Sequence, residues 1–376
     1  MEQWKQYKIE DICEQIFAGG DAAKYNTSKH QTPVHNIPIY ANSTENEGLY
    51  GYCDKAAVSV PAVTIAARGA GVGFVAFREK PFVPIVRLIT LITNKLADTK
   101  FIYYYLKNRR LSGDGSAIPQ ITVPMVKKEN ILLPDLVIQQ QIASILSSLD
   151  SKIELNRRIN DNLEQQAQAL FNYYFIDNRN KLGDYTESNL TQIATYLNGL
   201  AMQKYRPSYG EIGIPVLKIK ELGQGFCDIS SDLCSPSIRS EYIVNDGDII
   251  FSWSGTLMID TWCGGTCGLN QHLFKVNSEL YPQWFIYFWT NHHLDKFIRV
   301  AKDKAVTMGH IKRSELVSSE VIIPNKTTLE NLDKIFKPIF EESTSKKIEN
   351  RKLEEVRNTL LSKLMSGELK INDLHS

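Results

Sequence analysis

The apolar positions of this chain fall into a pattern that occurs twice. Near the start of each half stands a short apolar opening, Tyr7-Lys-Ile-Glu-Asp-Ile12 and Leu190-Thr-Gln-Ile193-Ala. A segment entering on Ile-Pro follows, Ile37-Pro-Ile-Tyr40 and Ile214-Pro-Val-Leu217. Next comes a strand ending in glycine, Val63-Thr-Ile-Ala-Ala-Arg-Gly69 and Asp248-Ile-Ile-Phe-Ser-Trp-Ser-Gly255, and then an aromatic helix, Phe101-Ile-Tyr-Tyr-Tyr-Leu106 and Phe285-Ile-Tyr-Phe-Trp289. Each half closes on a buried-strand pattern with a final proline, Ile131-Leu-Leu-Pro134 and Val321-Ile-Ile-Pro324. The spacing is 184 residues from Ile102 to Ile286 and 190 from Pro134 to Pro324. Five landmarks in one order point to an α/β (α+β) tandem repeat rather than two unrelated domains.

After each closing proline the period changes from strand-like to helical. From Asp135 to about Asp177 there is neither proline nor glycine, and Ile142, Leu149, Leu163 and Leu170 share one heptad position. Ile145, Ile153, Ala167 and Tyr174 lie near the companion position, and Asn156 takes the remaining slot, where a polar residue sets register at some cost in stability. The second copy begins its stripe at Leu332 and Ile339 and finishes it at Leu353, Val356, Leu360 and Leu364. Pro338 is expected to kink or interrupt its early turns, and the polar run Glu341 to Lys347 to fray. Gly367 is placed as the C-terminal cap. A helix of about 40 residues is about 60 Å long, too long for one small domain to bury. The two are expected to pack on each other as an antiparallel coiled coil; the alternative is that each folds back on its own domain. The division expected is 1–134 and 182–325 for the globular domains, with 135–181 and 326–376 for the helices.

Composition adds little to this and removes several classes. The 376 residues are 43% hydrophobic and 23% charged, with 43 Lys and Arg against 42 Asp and Glu. That balance lacks the strongly basic signature of a self-sufficient nucleic-acid binder. No apolar run reaches the roughly 18 residues of a membrane span, and the most hydrophobic stretch, Pro81 to Thr93, carries Arg87 at its middle. The N-terminus has no basic region followed by an apolar one, so a cytoplasmic location is expected. Six cysteines are too few for a disulfide scaffold. Cys263-Gly-Gly-Thr-Cys267 with Cys227 and Cys234 is the one metal-like grouping, but the upstream pair is too widely spaced for a structural zinc site, so no metal is expected.

Catalytic motifs are missing. Gly69-Ala-Gly-Val-Gly73 supplies glycines, yet Phe74-Val-Ala-Phe77 after them reads as a strand, so a hairpin is expected rather than a cofactor loop. There is no Asn/Asp-Pro-Pro-Tyr/Phe run and no phosphate-binding Gly-x-x-x-x-Gly-Lys-Ser/Thr. Pro134-Asp135 with Asp150-Ser-Lys152 fits a nuclease expression on paper, but 15 residues of helix separate the carboxylates by about 22 Å. No catalytic residue is expected.

The order and duplication of these phrases resemble the specificity subunit of type I restriction-modification systems. The second half carries the resemblance best, in Gly213-Ile-Pro-Val-Leu-Lys-Ile-Lys220, Asn245 to Gly255, Asn270-Gln-His-Leu273, Lys304 to Lys312 and Ile322-Ile-Pro324. The first half adds Gly115 to Ile121 and Leu133 to Ile142, and the C-terminus adds Arg351-Lys-Leu-Glu-Glu-Val and Leu361 to Leu369. Ala67-Arg68-Gly69 departs from the Ser-Arg-Ser-Gly-like turn usual in the family. The resemblance implies two target-recognition domains, each reading half of a bipartite double-stranded DNA target, with the helices setting the gap. It also implies docking of two methyltransferase subunits and of motor-nuclease subunits, with S-adenosylmethionine, ATP and Mg on those partners. The alternatives are a self-contained methyltransferase or nuclease, or a coiled-coil adaptor with protein-binding domains.

Charge then reads differently when it is divided. Residues 1–134 hold 16 Lys and Arg against 12 Asp and Glu, and residues 182–325 hold 12 against 15. Phosphate neutralisation supplies much of DNA affinity, so a partner is expected to share the grip. Lys100, Lys107, Arg109, Arg110, Lys127 and Lys128 form either a phosphate track or a solvated face. The candidate base readers are Lys24, Asn42, Arg68 and Gln120 in the first domain. In the second they are Lys204, Arg206, Trp253, Gln271, His272, His310 and Lys312, and His272 is also open to an internal role bonded to backbone.

Overall fold

A computed structural model of the chain describes residues 4–69, 71–109, 111, 120–303 and 311–371. They fall into two units, one taking the chain to Ser151 and again from Glu354, the other holding Lys152–Leu353. The division therefore passes through both long helices.

The first unit contains β1 (Lys5–Lys8), β2 (Cys13–Ala18), β3 (Thr27–Ser28), β4 (Ile37–Tyr40), β5 (Leu49–Cys53), β6 (Ala62–Ile65), β7 (Val75–Arg78), β8 (Val83–Pro84), β9 (Ile89–Thr93) and β10 (Asn130–Leu133). Helices α1 (Thr99–Asn108) and α2 (Val123–Lys128) precede β10, and α3 (Leu136–Phe171) follows it. One antiparallel sheet runs β2-β9-β6-β7, a smaller one β3-β5-β4-β8 with β4 and β8 parallel, and β1 pairs with β10. The glycine-rich stretch turns the β6–β7 hairpin, with Gly69 and Gly73 at φ +84° and +80°. Asp98 caps α1 by accepting from the Phe101 amide at 2.8 Å. The helix then buries Phe101, Ile102, Tyr104, Tyr105 and Leu106 in one cluster with Val63, Ile65, Ile89 and Leu91 of the sheet. Ile142, Ala143 and Leu146 of α3 enter the same cluster.

The second unit repeats this order. Its strands are β11 (Tyr185–Asn189), β12 (Thr195–Asn198), β13 (Ile214–Leu217), β14 (Leu233–Cys234), β15 (Ile243–Val244), β16 (Ile249–Ser252), β17 (Met258–Thr261), β18 (Cys267–Leu269), β19 (Leu273–Asn277) and β20 (Glu320–Pro324). The helices are α4 (Leu190–Ile193), α5 (Ile219–Gln224), α6 (Gln283–His292), α7 (Leu294–Asp303), α8 (Arg313–Val317) and α9 (Lys326–Ser366). The sheet β12-β19-β16-β17 has the connectivity of β2-β9-β6-β7, β11 pairs with β20, and β13 lies parallel to β18 as β4 does to β8. Helix α6 begins 184 residues after α1, from Thr99 to Gln283, and α9 begins 190 after α3, from Leu136 to Lys326. Its core is aromatic: Phe171 stacks on Phe175 at 5.0 Å and meets Trp289 edge-on at 5.1 Å, while Trp284 stacks on Phe336 at 4.3 Å.

The two long helices run antiparallel. In the second unit Asn156 faces Asn350, whereas Glu164, further along α3, bonds Lys347, earlier in α9. In the first unit Asp150 accepts from Arg357 at 2.7 Å and from the Tyr104 hydroxyl at 2.7 Å. Asp150 is thus held in an ion pair, while Asp135 stays exposed before α3. Pro338 interrupts nothing: α9 continues through it because the proline is on the exposed face, where water can satisfy the carbonyl it leaves free. Nor does Glu341 to Lys347 fray. Lys346 bridges Glu342 and Glu349 within the helix, and Lys347 bridges Glu164 and Asp260 on other elements, so local and tertiary ion pairs together hold the polar turn.

Burial selects a different innermost row from the leucine heptad. Gln139, Leu146, Ile153, Asn160 and Ala167, seven apart, are all buried. Of the other row, Ile142 and Asn156 are buried, while Leu149, Leu163 and Leu170 are half-buried. On α9, Leu332 is buried; Ile339, Leu353 and Leu360 are half-buried, and the innermost places go to Phe336, Asn350, Leu361 and Leu364. Asn156 Nδ2 donates to Asn350 Oδ1 at 2.9 Å and to Glu349 Oε2 at 3.0 Å, and Asn350 Nδ2 donates to the Ile153 carbonyl at 3.1 Å. Asn156→Ala leaves the Asn350 carboxamide oxygen buried without its donor, and a loss of about 1–3 kcal/mol is expected in chemical denaturation. Replacing both asparagines by leucine should recover most of that loss; a double-mutant cycle reads the coupling directly.

His293 gives the second unit a pH dependence. Burial, with help from His292 and Lys296, pushes its imidazole down from 6.5 to about 4, although Nε2 donates to the Glu320 carbonyl at 2.8 Å. The folded ring stays neutral where the unfolded chain binds a proton. Stability is therefore whole above pH 6.5 and declines as pH falls toward 4. The expected decline is about 1–2 kcal/mol for this partly screened site, and His293→Phe should flatten it in thermal melts across that window.

Candidate nucleic-acid interface

Each unit gathers polar side chains where its main sheet meets its smaller one. In the first unit the chain leaving β6 carries Ala67, whose amide donates to Asn42 Oδ1 at 2.8 Å and whose carbonyl accepts from the Ile121 amide at 2.9 Å. Arg68 follows, exposed, with Nη2 donating to Gln120 Oε1 at 2.6 Å. Asn42, Arg68 and Gln120 are thereby brought together, although they are distant in sequence. Asn42 does not face outward as a base reader: its Oδ1 accepts from Ala67 and its Nδ2 donates to the Val86 carbonyl. Lys24 ends the short turn Ala22–Lys24, which Asp21 caps, and is exposed.

A feature not among the predicted site residues stands beside that turn. Val86 and Arg87 adopt φ +50° and +63°, the left-handed region that non-glycine residues, and β-branched ones above all, avoid. Such residues cost about 1–3 kcal/mol each and persist where surrounding bonds impose them. Here the Val86 amide donates to the Gly20 carbonyl at 2.8 Å and the Arg87 amide to the Gly19 carbonyl at 2.9 Å. Gly19 is required, since a Cβ there would lie 2.5 Å from the Pro84 carbonyl carbon. Both side chains are exposed between buried Ile85 and buried Leu88. The signal in the sequence was an arginine at the middle of the most apolar run.

The second unit builds the corresponding place from different residues. The Gln271 amide donates to the Leu200 carbonyl at 2.9 Å, as Val86 does to Gly20, and Gly199 leaves no room for a Cβ against Asn270. His272 is half-buried, its Nδ1 3.0 Å from Ser254 Oγ and its Nε2 3.2 Å from Gln271 Nε2. Its internal bonds are thus to side chains rather than to backbone carbonyls. Trp253 stacks on Phe274 at 5.7 Å, and its Nε1 donates to Asn198 Oδ1 at 3.0 Å. The Ile311 amide donates to the Trp253 carbonyl at 3.1 Å, which brings exposed Lys312 to the same edge. Lys204 is exposed at the end of the turn Met202–Lys204. Arg206 is exposed near Asp232, whose carboxyl is held down by Lys218 first and Arg206 last. His310 lies outside the described residues.

The proposed phosphate track is not a row of free cations. Lys100 pairs with Glu79 at 3.8 Å, Lys107 donates to the Tyr103 hydroxyl at 2.9 Å, and Arg109 reaches the Asn130 carbonyl at 3.5 Å. Lys127 is half-buried and Lys128 exposed, while Arg110 lies outside the described residues. Among the described residues no group of three or more His, Cys, Asp or Glu is placed to hold a metal. The six thiols are free, and burial pushes those of Cys13 and Cys263 up to about 12. No helix among the described residues is long and apolar enough to cross a membrane.

Comparison with known proteins gives one consistent set. The family model for the type I restriction modification DNA specificity domain matches residues 1–165. The type I restriction enzyme MjaIX specificity subunit of Methanocaldococcus jannaschii is 25% identical over 335 residues, 81% of this chain and 77% of that one. The C-terminus of a putative type I specificity subunit from Mycoplasma pneumoniae is 32% identical over 118 residues, covering 31% of this chain and 80% of that protein. The crystal structure of the type I restriction-modification S subunit from M. genitalium shares the fold with a TM-score of 0.63 over 96% of both chains, at 18% identity.

Proposed function

Because the chain belongs to the type I restriction-modification specificity subunits, whose role is recognition of a DNA sequence, we propose that each of its units reads one half of a bipartite duplex. The paired helices set the gap between the halves and dock two methyltransferase subunits. Target choice is then this chain's work. Methyl transfer with S-adenosylmethionine, and translocation and cleavage with ATP and Mg, belong to methyltransferase and motor-nuclease partners.

The observation that carries this reading is the duplication of one surface. Both units present a lysine-bearing turn, Lys24 or Lys204, beside a tip held by backbone carbonyls just before that turn (Gly19 and Gly20, or Leu200) and a strand end tied to a distant amide. Two copies of a reader with different side chains suit a target of two unlike halves. The helices suit the spacing: 36 residues of α3 extend about 54 Å, against about 34 Å per turn of duplex. The near-neutral charge suits a reader that shares its phosphate grip with a partner.

The test is footprinting on duplexes selected from a random library, with and without the methyltransferase subunits. Two protected half-sites separated by a fixed gap, stronger with the partner, are expected. Methylation or cleavage by the purified chain alone would overturn the assignment.

A further inference from the structure

Building on that reading, we propose that the left-handed turn at Val86–Arg87 is the base-reading tip of the first unit. Arg87 reads a guanine from the major groove, and Asn42 is the residue that positions it. Three observations meet here. The backbone is imposed from both sides, by the carbonyls of Gly19 and Gly20 and by the Asn42 carboxamide, so the tip is presented without ordering a loop. The Arg87 side chain is exposed and, among the described residues, makes no hydrogen bond or ion pair. Arg78 differs: it is buried over the Tyr40 ring and bound to Glu47. Arg87 therefore keeps its whole donor fork for a ligand, and in the major groove the pair of acceptors that fork matches is O6 and N7 of guanine.

Asn42 couples this tip to a second exposed arginine, Arg68. One carboxamide holds the Ala67 amide, which precedes Arg68, and the Val86 carbonyl, which precedes Arg87. The two guanidinium-bearing segments are thus registered through a single side chain, although Ala67 and Val86 lie 25 and 44 residues from Asn42. In the second unit the places of Val86 and Arg87 are taken by Gln271 and His272, joined to each other and to Ser254. The two halves therefore differ in what their tips offer: a free guanidinium in one, a glutamine and histidine pair in the other.

The test uses the full chain assembled with its methyltransferase subunits, and duplexes selected from a randomised library. The wild-type complex, Arg87→Ala, Asn42→Ala and His272→Ala are compared, with thermal melts run alongside. Arg87→Ala is expected to melt as the wild type. It should lose preference for one guanine by roughly 10- to 100-fold in one half-site only, leaving the other half intact. Asn42→Ala should relax that same position together with its neighbours in the same half, while His272→Ala relaxes only the opposite half. A uniform loss over all positions, with the salt slope falling by about one, would make Arg87 a phosphate contact and overturn the proposal; an unchanged motif would do the same. If the wild-type complex selects no two-part motif, the functional reading itself fails.

Discussion

Adding one heptad to each long helix is expected to widen the recognised gap by about three base pairs and leave both half-sites unchanged. The insertion belongs in α3 between Asp150 and Asn156, and in α9 between Asn350 and Arg357. Those limits keep two bonded pairs, Arg357 with Asp150 at 2.7 Å and Asn156 with Asn350 at 2.9 Å. Seven residues add about 10 Å of rise and preserve the helix face, and duplex DNA advances about 3.4 Å per base pair. Lengthening α3 alone moves Asn156 a full two turns from its partner and should instead destabilise the chain by several kcal/mol. Methylome sequencing of a host carrying the paired insertion reads the new gap. Altered half-sites would show that the helices do not act as spacers.

Phe171→Ala is expected to unfold the second unit preferentially. Phe171 is fully buried where α3 ends, 5.0 Å from Phe175, 5.7 Å from Phe288 and 5.1 Å from Trp289. Truncating a phenylalanine at such a place costs about 3–5 kcal/mol, a large share of a domain's stability. Chemical denaturation should show an early transition carrying most of the tryptophan signal, since Trp253, Trp262, Trp284 and Trp289 all belong to this unit. Recognition of one half-site should be lost while the first unit stays folded. A single cooperative transition at the wild-type midpoint would contradict this.

Much of the architecture is legible in the order of residues. The aromatic runs at Phe101 and Phe285 become equivalent helices, and the glycines after Arg68 turn a hairpin, because strand and helix periods are set within a few residues. The reading fails where a choice depends on a distant partner. Pro338 looks like a helix breaker until its face is seen to be exposed, and the polar run after it looks frayed until Glu164 and Asp260 meet Lys347. Leu149, Leu163 and Leu170 look like the seam, yet Leu146 and Asn160 in the neighbouring seven-residue row lie deeper, because the packing of surrounding elements, and not residue type, decides which of two adjacent rows faces inward.

The candidate interface divides in the same way. Residue type and loop position point to Lys24, Arg68, Lys204, Arg206 and Lys312, and they are exposed. The same criteria point to Asn42, which holds backbone in place, while Arg87 stands in the sequence only as a charge inside an apolar run. The sequence by itself determined the tandem repeat and the two long helices, which rest on local periodicity and on order along the chain, and its motifs carried the resemblance to the family. Tertiary structure alone decided which polar side chains are spent inside the units and which remain to meet a ligand. The physical reason is distance along the chain: Asn42 is bonded across 25 and 44 residues and Asn156 across 194, and no local pattern records a hydrogen bond of that reach.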